Sequence, residues 1–315
     1  MNYFFSSKNF LISFFIFSLF SSICIMLINI YIDVYGIFGE SKNKKLPVYY
    51  NERISKYLLS YKYIPINYNT IIAGPSLSDN INITQCDSSL KIYNISIMGG
   101  NISETKILTI HCIDQGIKNV ILCLNPYQFK DVGEKEIEFN DKIYFSALGS
   151  LDLYQTYLVA IIRHLELLPS KYPKNQINEN GVNNYEKLFE VNNVKEKIKD
   201  EVKIRQLEKY FINPKAMQEF KELIVYLKKK EIQFLIYFHP IPLEILKADY
   251  NSVMQFQNKI CNIVGDSSRI LDFNQPKYHQ FTANYDNYID HGHLSKSGCE
   301  EITLKISQRI NELFL

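Results

Sequence analysis

Short apolar runs alternate with stretches of helical periodicity from residue 64 to the end of the chain, and this alternation constrains the fold more than any other feature. Each run has the length and composition of one buried strand, and the stretches between runs are long enough for helices that cross over a sheet. Such an order favours an α/β fold of three layers, with a mostly parallel sheet between two layers of helices. The predicted strands are residues 70–73, 91–95, 120–124, 233–238 and 269–273.

The predicted helices carry recognisable end signals. Ser103 can cap a helix that ends at Gln115-Gly116, and Asn213-Pro214 opens another. A last helix starts near Ser297 and runs to the C-terminus. Residues 149–212 interrupt the alternation with helical stretches and a polar loop. We interpret them as a helical insertion within one α/β domain of residues 64–315.

The beginning of the chain is of a different kind, because residues 9–32 form a run of 24 residues without a charge. A helix of that length rises about 36 Å, which is enough to cross a hydrocarbon core of about 30 Å. We predict a tail and one transmembrane helix in residues 1–32, followed by a tether and entry segment in residues 33–63. The chain would then contact the membrane through this one helix.

Two alternatives apply to the apolar run. A signal peptide usually has an apolar region of about 7 to 15 residues and a small-x-small cleavage site, whereas this run is longer and has no clean site. Ser21-Ser22-Ile23-Cys24 is similar to a lipoprotein cleavage site, but Ile23 is large for the position before the cysteine. Lysines flank the run on both sides, so charge alone does not orient the helix.

Charge excludes one class of partner. The chain has 35 Lys and Arg residues against 33 Asp and Glu residues, so it carries neither a basic footprint nor an acidic tail. We therefore predict no nucleic-acid partner. At 315 residues with 46% apolar content, the chain can bury one core of good size.

Two short motifs carry the candidate chemistry. Ser76 follows Gly74 and Pro75 at the end of the first predicted strand, where open α/β sheets place reactive groups. Asp290 lies three residues before His293 in a glycine-bearing loop near the C-terminus. The carboxylate can hold one imidazole nitrogen and leave the other free as a base, for which a serine is the natural partner. The pattern predicts a catalytic triad of Ser76, His293 and Asp290.

Each motif also has an ordinary alternative. Gly-Pro-Ser is a common turn, and an Asp-His pair occurs by chance in polar surface loops. His291 and His293 with Asp290 can also suggest a metal site, but no convincing further ligand accompanies them, and the six cysteines include no C-x-x-C pair. We predict no metal and no cofactor, and we assign no role to His291.

An acyl-transferring serine also needs donors for the oxyanion that develops on the substrate. Gly100 lies in a glycine turn after the second predicted strand, and Asn125 closes the third. The predicted oxyanion hole consists of the Ser76 backbone N–H, Gly100 and Asn125. The structural alternatives are a plain strand-to-helix turn at Gly100 and an ordinary Asn-Pro turn at Asn125.

The order of these motifs resembles the SGNH, or GDSL-like, hydrolase superfamily: a serine after the first strand, a glycine near residue 100, Asn125 after the third, and Asp290-x-x-His293 before the last helix. The resemblance covers residues 64–315 and implies a flavodoxin-like α/β/α fold. The first block here is Gly-Pro-Ser-Leu-Ser instead of Gly-Asp-Ser-Leu, and the third is Leu-Asn-Pro instead of Gly-x-Asn-Asp. Conventional α/β-hydrolases fit less well, because Ser78 replaces the second glycine of Gly-x-Ser-x-Gly.

With its N-terminal helix, the chain looks like membrane-anchored envelope members of this superfamily. The resemblance implies a bacterial serine acyl-ester hydrolase or O-acyltransferase that acts on cell-envelope glycans through an acyl-enzyme. It implies an inner or cytoplasmic membrane location with a periplasmic or extracellular domain. The partners would be an acyl donor or acylated glycan and a membrane-bound protein of acyl transfer. The irregular middle blocks favour a second hypothesis, an inactive binding or assembly protein on the same scaffold, and a plain envelope anchor is a third.

Overall fold

The structure is a computed structural model that describes residues 7–33, 37–38, 52–83, 87–135, 139–149, 178–183 and 192–314, together with residues 154, 158, 162, 165, 167 and 185. Residues 34–36 and 39–51 of the predicted tether lie outside the described residues. So does most of the stretch 150–191 in the predicted insertion.

A five-stranded parallel sheet lies at the centre of the fold, in the order β2-β1-β3-β4-β5. The predicted fold class is therefore confirmed, and each predicted strand lies within two residues of its observed bounds. The two central strands, β3 and β4, pair along their whole length, from Asn119 opposite Gln233 to Leu124 opposite Phe238. The strands are β1 (Thr70–Ala73), β2 (Ile92–Asn94), β3 (Asn119–Leu124), β4 (Gln233–Phe238) and β5 (Ile270–Asp272).

Helices precede, connect and follow these strands. The apolar N-terminal run forms one long helix, α1. Helix α2 lies in the predicted entry segment, and α3 follows it before β1. The described helices are α1 (Ser7–Ile32), α2 (Glu52–Tyr61), α3 (Tyr63–Asn67), α4 (Ser76–Asp79), α5 (Ile102–Asp114), α6 (Asp141–Gly149), α7 (Val194–Leu207), α8 (Pro214–Lys229), α9 (Leu243–Ala248), α10 (Tyr250–Val264), α11 (His279–Thr282) and α12 (Lys296–Phe314).

Side chains of the strands alternate between two buried faces. In β4, Phe234, Ile236 and Phe238 belong to a cluster that includes residues of α5, α8 and α10, whereas Leu235 and Tyr237 belong to a cluster with α12. Both faces are apolar because helices cover both, as is usual for a parallel sheet. The sheet is thus the middle layer of three.

Among the predicted helix starts, the last one, near Ser297, agrees with the start of α12 at Lys296, whereas those of α5 and α8 had different outcomes. The predicted cap at Ser103 is wrong, because the N-cap of α5 is Asn101, two residues earlier. The Asn101 side chain accepts the Glu104 N–H at 3.0 Å, and the Glu104 carboxylate accepts the Asn101 N–H at 3.1 Å. This reciprocal pair satisfies two orphan donors, which a lone serine does not do. The predicted start at Asn213-Pro214 is confirmed.

Strand order locates the place where a site can form. In the order β2-β1-β3-β4-β5 the connections diverge between β1 and β3, which opens a crevice beyond the carboxyl ends of the strands. Ser76 follows β1, Asn125 follows β3, and His239 follows β4. The fold therefore brings these three residues to the same edge of the sheet.

Candidate active site

Ser76 is held at the mouth of this crevice by a tightly packed turn. Gly74 fits between its neighbours only without a side chain, since a Cβ there would lie 2.6 Å from Ser78 Oγ and 2.7 Å from the Cys123 Cβ. Pro75 forms an isolated bridge with Ile97, next to β2. Ser76 is then the first residue of α4 and is 7% exposed. The turn thus leaves its hydroxyl little freedom.

The loop that carries Asp290 and His293 is closed by its own hydrogen bonds. Asp290 Oδ1 accepts the backbone N–H groups of Gly292 at 2.8 Å and of His293 at 2.7 Å. Asp290 Oδ2 lies 2.7 Å from His293 Nδ1, and His293 Nε2 lies 2.9 Å from Ser76 Oγ. The structure therefore brings the three predicted triad residues into one continuous hydrogen-bonded chain.

The charge of Asp290 fixes the direction of this chain. Burial by itself would raise the pKa of Asp290, but the hydrogen bonds and charge interaction with His293 outweigh it and hold the pKa well below its ordinary value. An ionised carboxylate accepts only, so His293 Nδ1 is the nitrogen that carries the proton. His293 Nε2 then presents a lone pair to the Ser76 hydroxyl, which is the arrangement that general-base catalysis requires.

Of the predicted oxyanion donors, Asn125 lines the cavity and Gly100 does not. Asn125 lines the cavity beside Ser76, and its Oδ1 accepts the Tyr127 N–H at 3.2 Å, so its amide NH₂ is the group left to donate. Gly100 does not line the cavity. Its N–H donates to the Ile97 carbonyl at 3.1 Å, and a Cβ there would lie 2.7 Å from Ile97 Cγ1. Gly100 thus serves a tight turn, whereas the preceding residue, Gly99, lines the cavity.

A cavity of about 490 Å³ opens in front of Ser76, within the usual size range of small-ligand sites. Ser76 and His293 lie on one side of it. The last turn of α7 and the residues after it line it too, through Arg205, Glu208 and Tyr210. Part of the predicted insertion therefore contributes to the wall of the site.

His239 belongs to the site and was not predicted. Its Nε2–H donates to the Gly292 carbonyl at 2.8 Å, and this hydrogen bond helps to hold the loop that carries Asp290 and His293. The side chain is buried, which lowers its pKa to about 4 although the Gly292 carbonyl opposes the shift. The imidazole therefore stays neutral at physiological pH. A signal was present in the sequence, because His239 follows a predicted strand directly.

Tyr127 is a second cavity residue that the sequence did not indicate. Burial raises the pKa of its phenol, and an interaction with Ser76 partly offsets the shift. The phenol therefore remains protonated and can donate a hydrogen bond beside the nucleophile. No motif marks this tyrosine, which is one of 23 in the chain.

A buried ionic cluster joins Asp79, the last residue of α4, to Lys56 and Glu52 of α2. Lys56 Nζ is 2.5 Å from Asp79 Oδ1 and 3.0 Å from Glu52 Oε1, and it also donates to the Ser96 carbonyl. The side chains of Lys56 and Asp79 are fully buried. Burial alone would lower the pKa of Lys56, but the two carboxylates raise it above its ordinary value, so the ammonium stays charged.

Tyr185 links this cluster to the triad. Its hydroxyl donates to Asp79 Oδ2 at 3.0 Å, and Asn183 Nδ2 donates to the same oxygen at 3.1 Å. The Tyr185 ring also packs edge-on against the His293 imidazole, with ring centroids 5.2 Å apart. The contact between Asp79 and Tyr185 could not be predicted from local sequence patterns, because the two residues are far apart in the chain.

His291 lies at the rim of the cavity with an exposed side chain, two residues from His293. Among the described residues no group of three or more His, Cys, Asp or Glu side chains could hold a metal ion. The hydrogen-bonded chain from Asp290 to Ser76 does not include His291.

No family model matches this chain, and no curated protein matches it. Among solved structures it is similar to one described as "a putative platelet activating factor from Streptococcus pneumonia". The sequence identity is 8%, the TM-score is 0.43, and the alignment covers 82% of this chain and 89% of that chain. A likeness at this level says nothing about activity.

Proposed function

We propose that this chain is an SGNH-type serine acyl-ester hydrolase or O-acyltransferase that acts on cell-envelope glycans. The observation that carries the proposal is the chain of hydrogen bonds from Asp290 through His293 to Ser76, at 2.7 Å and 2.9 Å. Its position beside a cavity at the carboxyl edge of a parallel sheet is where such chemistry is expected.

In the first half-reaction Ser76 Oγ attacks the acyl carbonyl, and His293 Nε2 takes the hydroxyl proton. The negative charge on the carbonyl oxygen would be held by the Ser76 backbone N–H and the Asn125 amide, with the Tyr127 hydroxyl as a further donor. The tetrahedral intermediate collapses when the ester C–O bond breaks and His293 gives its proton to the leaving alcohol. The product is an acyl-serine.

In the second half-reaction an acceptor hydroxyl attacks the acyl-serine, and His293 again takes and returns one proton. Water as acceptor makes the enzyme an esterase, and a sugar hydroxyl makes it a transferase. The residues after α7 line the cavity and are placed to influence which acceptor enters. An acyltransferase of this kind would receive its acyl group from a donor or from a membrane-bound partner.

The long apolar helix α1 supports a membrane location. It contains a candidate span, Lys8–Tyr31, and no residue of the 18-residue apolar window within it is buried by the rest of the described chain. We propose that α1 crosses the inner or cytoplasmic membrane once and that the α/β domain lies on its periplasmic or extracellular side. The glycan substrates and this orientation rest on the superfamily resemblance.

A serine-directed fluorophosphonate probe tests the enzyme hypothesis. The folded full chain should be labelled, and both Ser76→Ala and His293→Ala should lose labelling by several orders of magnitude in rate. The matched control is His291→Ala, which removes an exposed imidazole two residues away and should keep most of the labelling. If the folded wild-type chain is not labelled, the inactive binding protein becomes the better hypothesis.

Substrate class needs a separate measurement. Acyl groups on surface glycans should differ between cells that carry the wild-type chain and cells that carry Ser76→Ala. A fall in glycan acylation in the variant indicates a transferase, and a rise indicates an esterase. Unchanged glycans together with loss of labelling would keep the serine chemistry and contradict the glycan substrate.

A further inference from the structure

The end of α1 from which the domain emerges is packed against the domain. Asn29 Nδ2 donates to the Leu148 carbonyl at 2.8 Å, and the Tyr154 hydroxyl donates to the Ile25 carbonyl at 3.3 Å. Asn29 is 1% exposed, although the apolar side chains of α1 nearer its middle are largely exposed. The Asn29 amide near the end of the span thus donates to α6.

Helix α6 is also fixed to the α/β core. Ala147 packs in one buried cluster with Leu58 of α2, and the Tyr61 hydroxyl donates to Asp141 Oδ1 at 2.9 Å. The Tyr61 and Tyr144 rings lie with centroids 4.7 Å apart. Because α6 contacts α1 on one side and α2 on the other, the membrane helix and the core are joined by side-chain packing as well as by the chain itself.

Helix geometry gives the depth of these contacts. The span Lys8–Tyr31 has 24 residues, so its length of about 36 Å exceeds a hydrocarbon core of about 30 Å by roughly 3 Å at each end. Asn29 lies about 3 Å of helix before Tyr31, and Ile25 lies about 9 Å before it. The contacts with Leu148 and Tyr154 therefore fall at the boundary between hydrocarbon and headgroups, or just inside it.

Large apolar side chains are exposed next to these contacts. Phe145, three residues before Leu148 on α6, is 65% exposed. Leu158, which lies four residues after Tyr154 in the sequence, is 56% exposed. Exposed Phe and Leu beside a membrane helix would face the layer of lipid headgroups, where apolar side chains gain from partial burial.

We propose that Phe145, Tyr154 and Leu158, here called the lipid-facing surface, insert into the interfacial layer of the same bilayer that α1 crosses. The occupant is lipid because this surface continues directly from a helix whose own side chains require lipid. The inference rests on the proposed membrane span of α1. Its consequence is that the domain sits on the membrane in one orientation, with the cavity at a fixed height, and does not swing on a tether.

The absence of tryptophan from the chain makes a direct test possible. Single tryptophans are introduced into the full chain as Phe145→Trp and Leu158→Trp, and the protein is reconstituted into phosphatidylcholine and phosphatidylglycerol vesicles. Some of these lipids carry bromine at a shallow or a deep acyl position, because bromine quenches tryptophan on contact. Phe20→Trp, at the middle of α1, serves as the control for a membrane-buried site. Tyr250→Trp, 52% exposed on α10, serves as the control for a water-exposed site.

The proposal expects quenching at positions 145 and 158 by roughly twofold, stronger for shallow than for deep bromine, as for side chains about 5–10 Å below the headgroup boundary. Quenching at position 20 without quenching at 145 and 158 would overturn the lipid-facing surface while leaving the membrane span intact. No quenching at position 20 would overturn both. The far-ultraviolet circular dichroism of each variant checks that it is folded, whether or not the chain is an enzyme. Two positions are tested so that the experiment remains possible if one variant does not fold.

Discussion

Two aspartates lie near the Ser76–His293 hydrogen bond, and they differ in burial and in the groups that hold their carboxyl oxygens. Asp290 has a side chain that is 17% exposed and is held by backbone N–H groups of its own loop. Asp79, three residues after Ser76, is fully buried against the charged Lys56. Interactions with His293 lower the pKa of Asp290 despite its burial, whereas burial and the charge of Glu52 raise the pKa of Asp79 against the effect of Lys56.

The difference separates a functional role from a structural one. A carboxylate that is near water and held by local N–H groups can be changed without leaving a buried charge behind, so its loss should affect chemistry. A carboxyl group that holds a fully buried ammonium cannot be removed without leaving that ammonium with one partner fewer. We therefore expect Asp290 to govern rate and Asp79 to govern stability.

The largest effect is expected from Asp290→Asn. The amide keeps the shape of the loop but favours the wrong tautomer of His293, so kcat for a small aryl ester should fall by about 10⁴-fold. The midpoint of thermal unfolding should stay close to that of the wild type. Asp286→Asn, an exposed aspartate before the same loop, is the control and should keep full activity. Wild-type kcat in Asp290→Asn would show that the hydrogen-bonded chain is not a catalytic triad.

The reverse pattern is expected from Asp79→Ala. It leaves the Lys56 ammonium buried with one partner fewer, which should lower the free energy of unfolding by about 3–5 kcal/mol. Urea denaturation of the full chain in detergent measures this loss. The matched control is Asp200→Ala, whose ion pair with Lys203 at 2.7 Å joins side chains that are 69% and 72% exposed. That change should cost less than about 1 kcal/mol, and equal losses in the two variants would contradict a structural role for Asp79.

The site could be predicted from the sequence only where its residues are marked by local patterns. Ser76 follows a strand, and Asp290 and His293 form a short motif, so these local patterns and their order, which resembles that of the superfamily, predicted that the three residues would meet. The five strands were predictable because each is a short apolar run. Ser103 was predicted as the cap of α5 because serine is a common N-cap residue, whereas Asn101 is the residue that exchanges hydrogen bonds with Glu104.

The remaining parts of the site depend on contacts between distant segments. Lys56 and Tyr185 meet at Asp79 only after the chain has folded, and neither carries a local signal. At Gly100 a local signal was present in the sequence, but it did not indicate where the backbone N–H points. A glycine after a strand suggested an oxyanion donor, but backbone geometry decides whether an N–H is available, and here it donates to Ile97. Sequence order locates side chains better than it locates backbone donors.

His239 extends the comparison to a third titratable group and predicts a dependence on pH. Its pKa in the folded chain is about 4, against about 6.5 when unfolded, so the unfolded state binds more protons between these values. Its contribution to stability is complete above pH 6.5 and is lost as the pH falls towards 4, by up to about 3 kcal/mol. His239→Gln, which keeps a donor for the Gly292 carbonyl, should lack this loss.

The measurement is the free energy of unfolding of both proteins from pH 7 to pH 4. The difference between the two curves isolates His239, because the raised pKa of Asp79 acts in the same range with the opposite sign and is common to both. A difference that does not change with pH would mean that His239 is not buried in its neutral form.

The smallest effect tests the link between the two aspartates. Tyr185→Phe removes the hydroxyl that donates to Asp79 Oδ2 at 3.0 Å but keeps the ring that packs on His293. Loss of one buried hydrogen bond to a carboxylate should cost about 1–3 kcal/mol of stability, while kcat should change by no more than a few-fold. Tyr185→Leu removes the ring as well, so any additional loss of kcat over Tyr185→Phe measures what the ring contributes to the orientation of His293. If the two variants lose kcat equally, Tyr185 serves only Asp79, and the structural cluster and the triad are energetically separate.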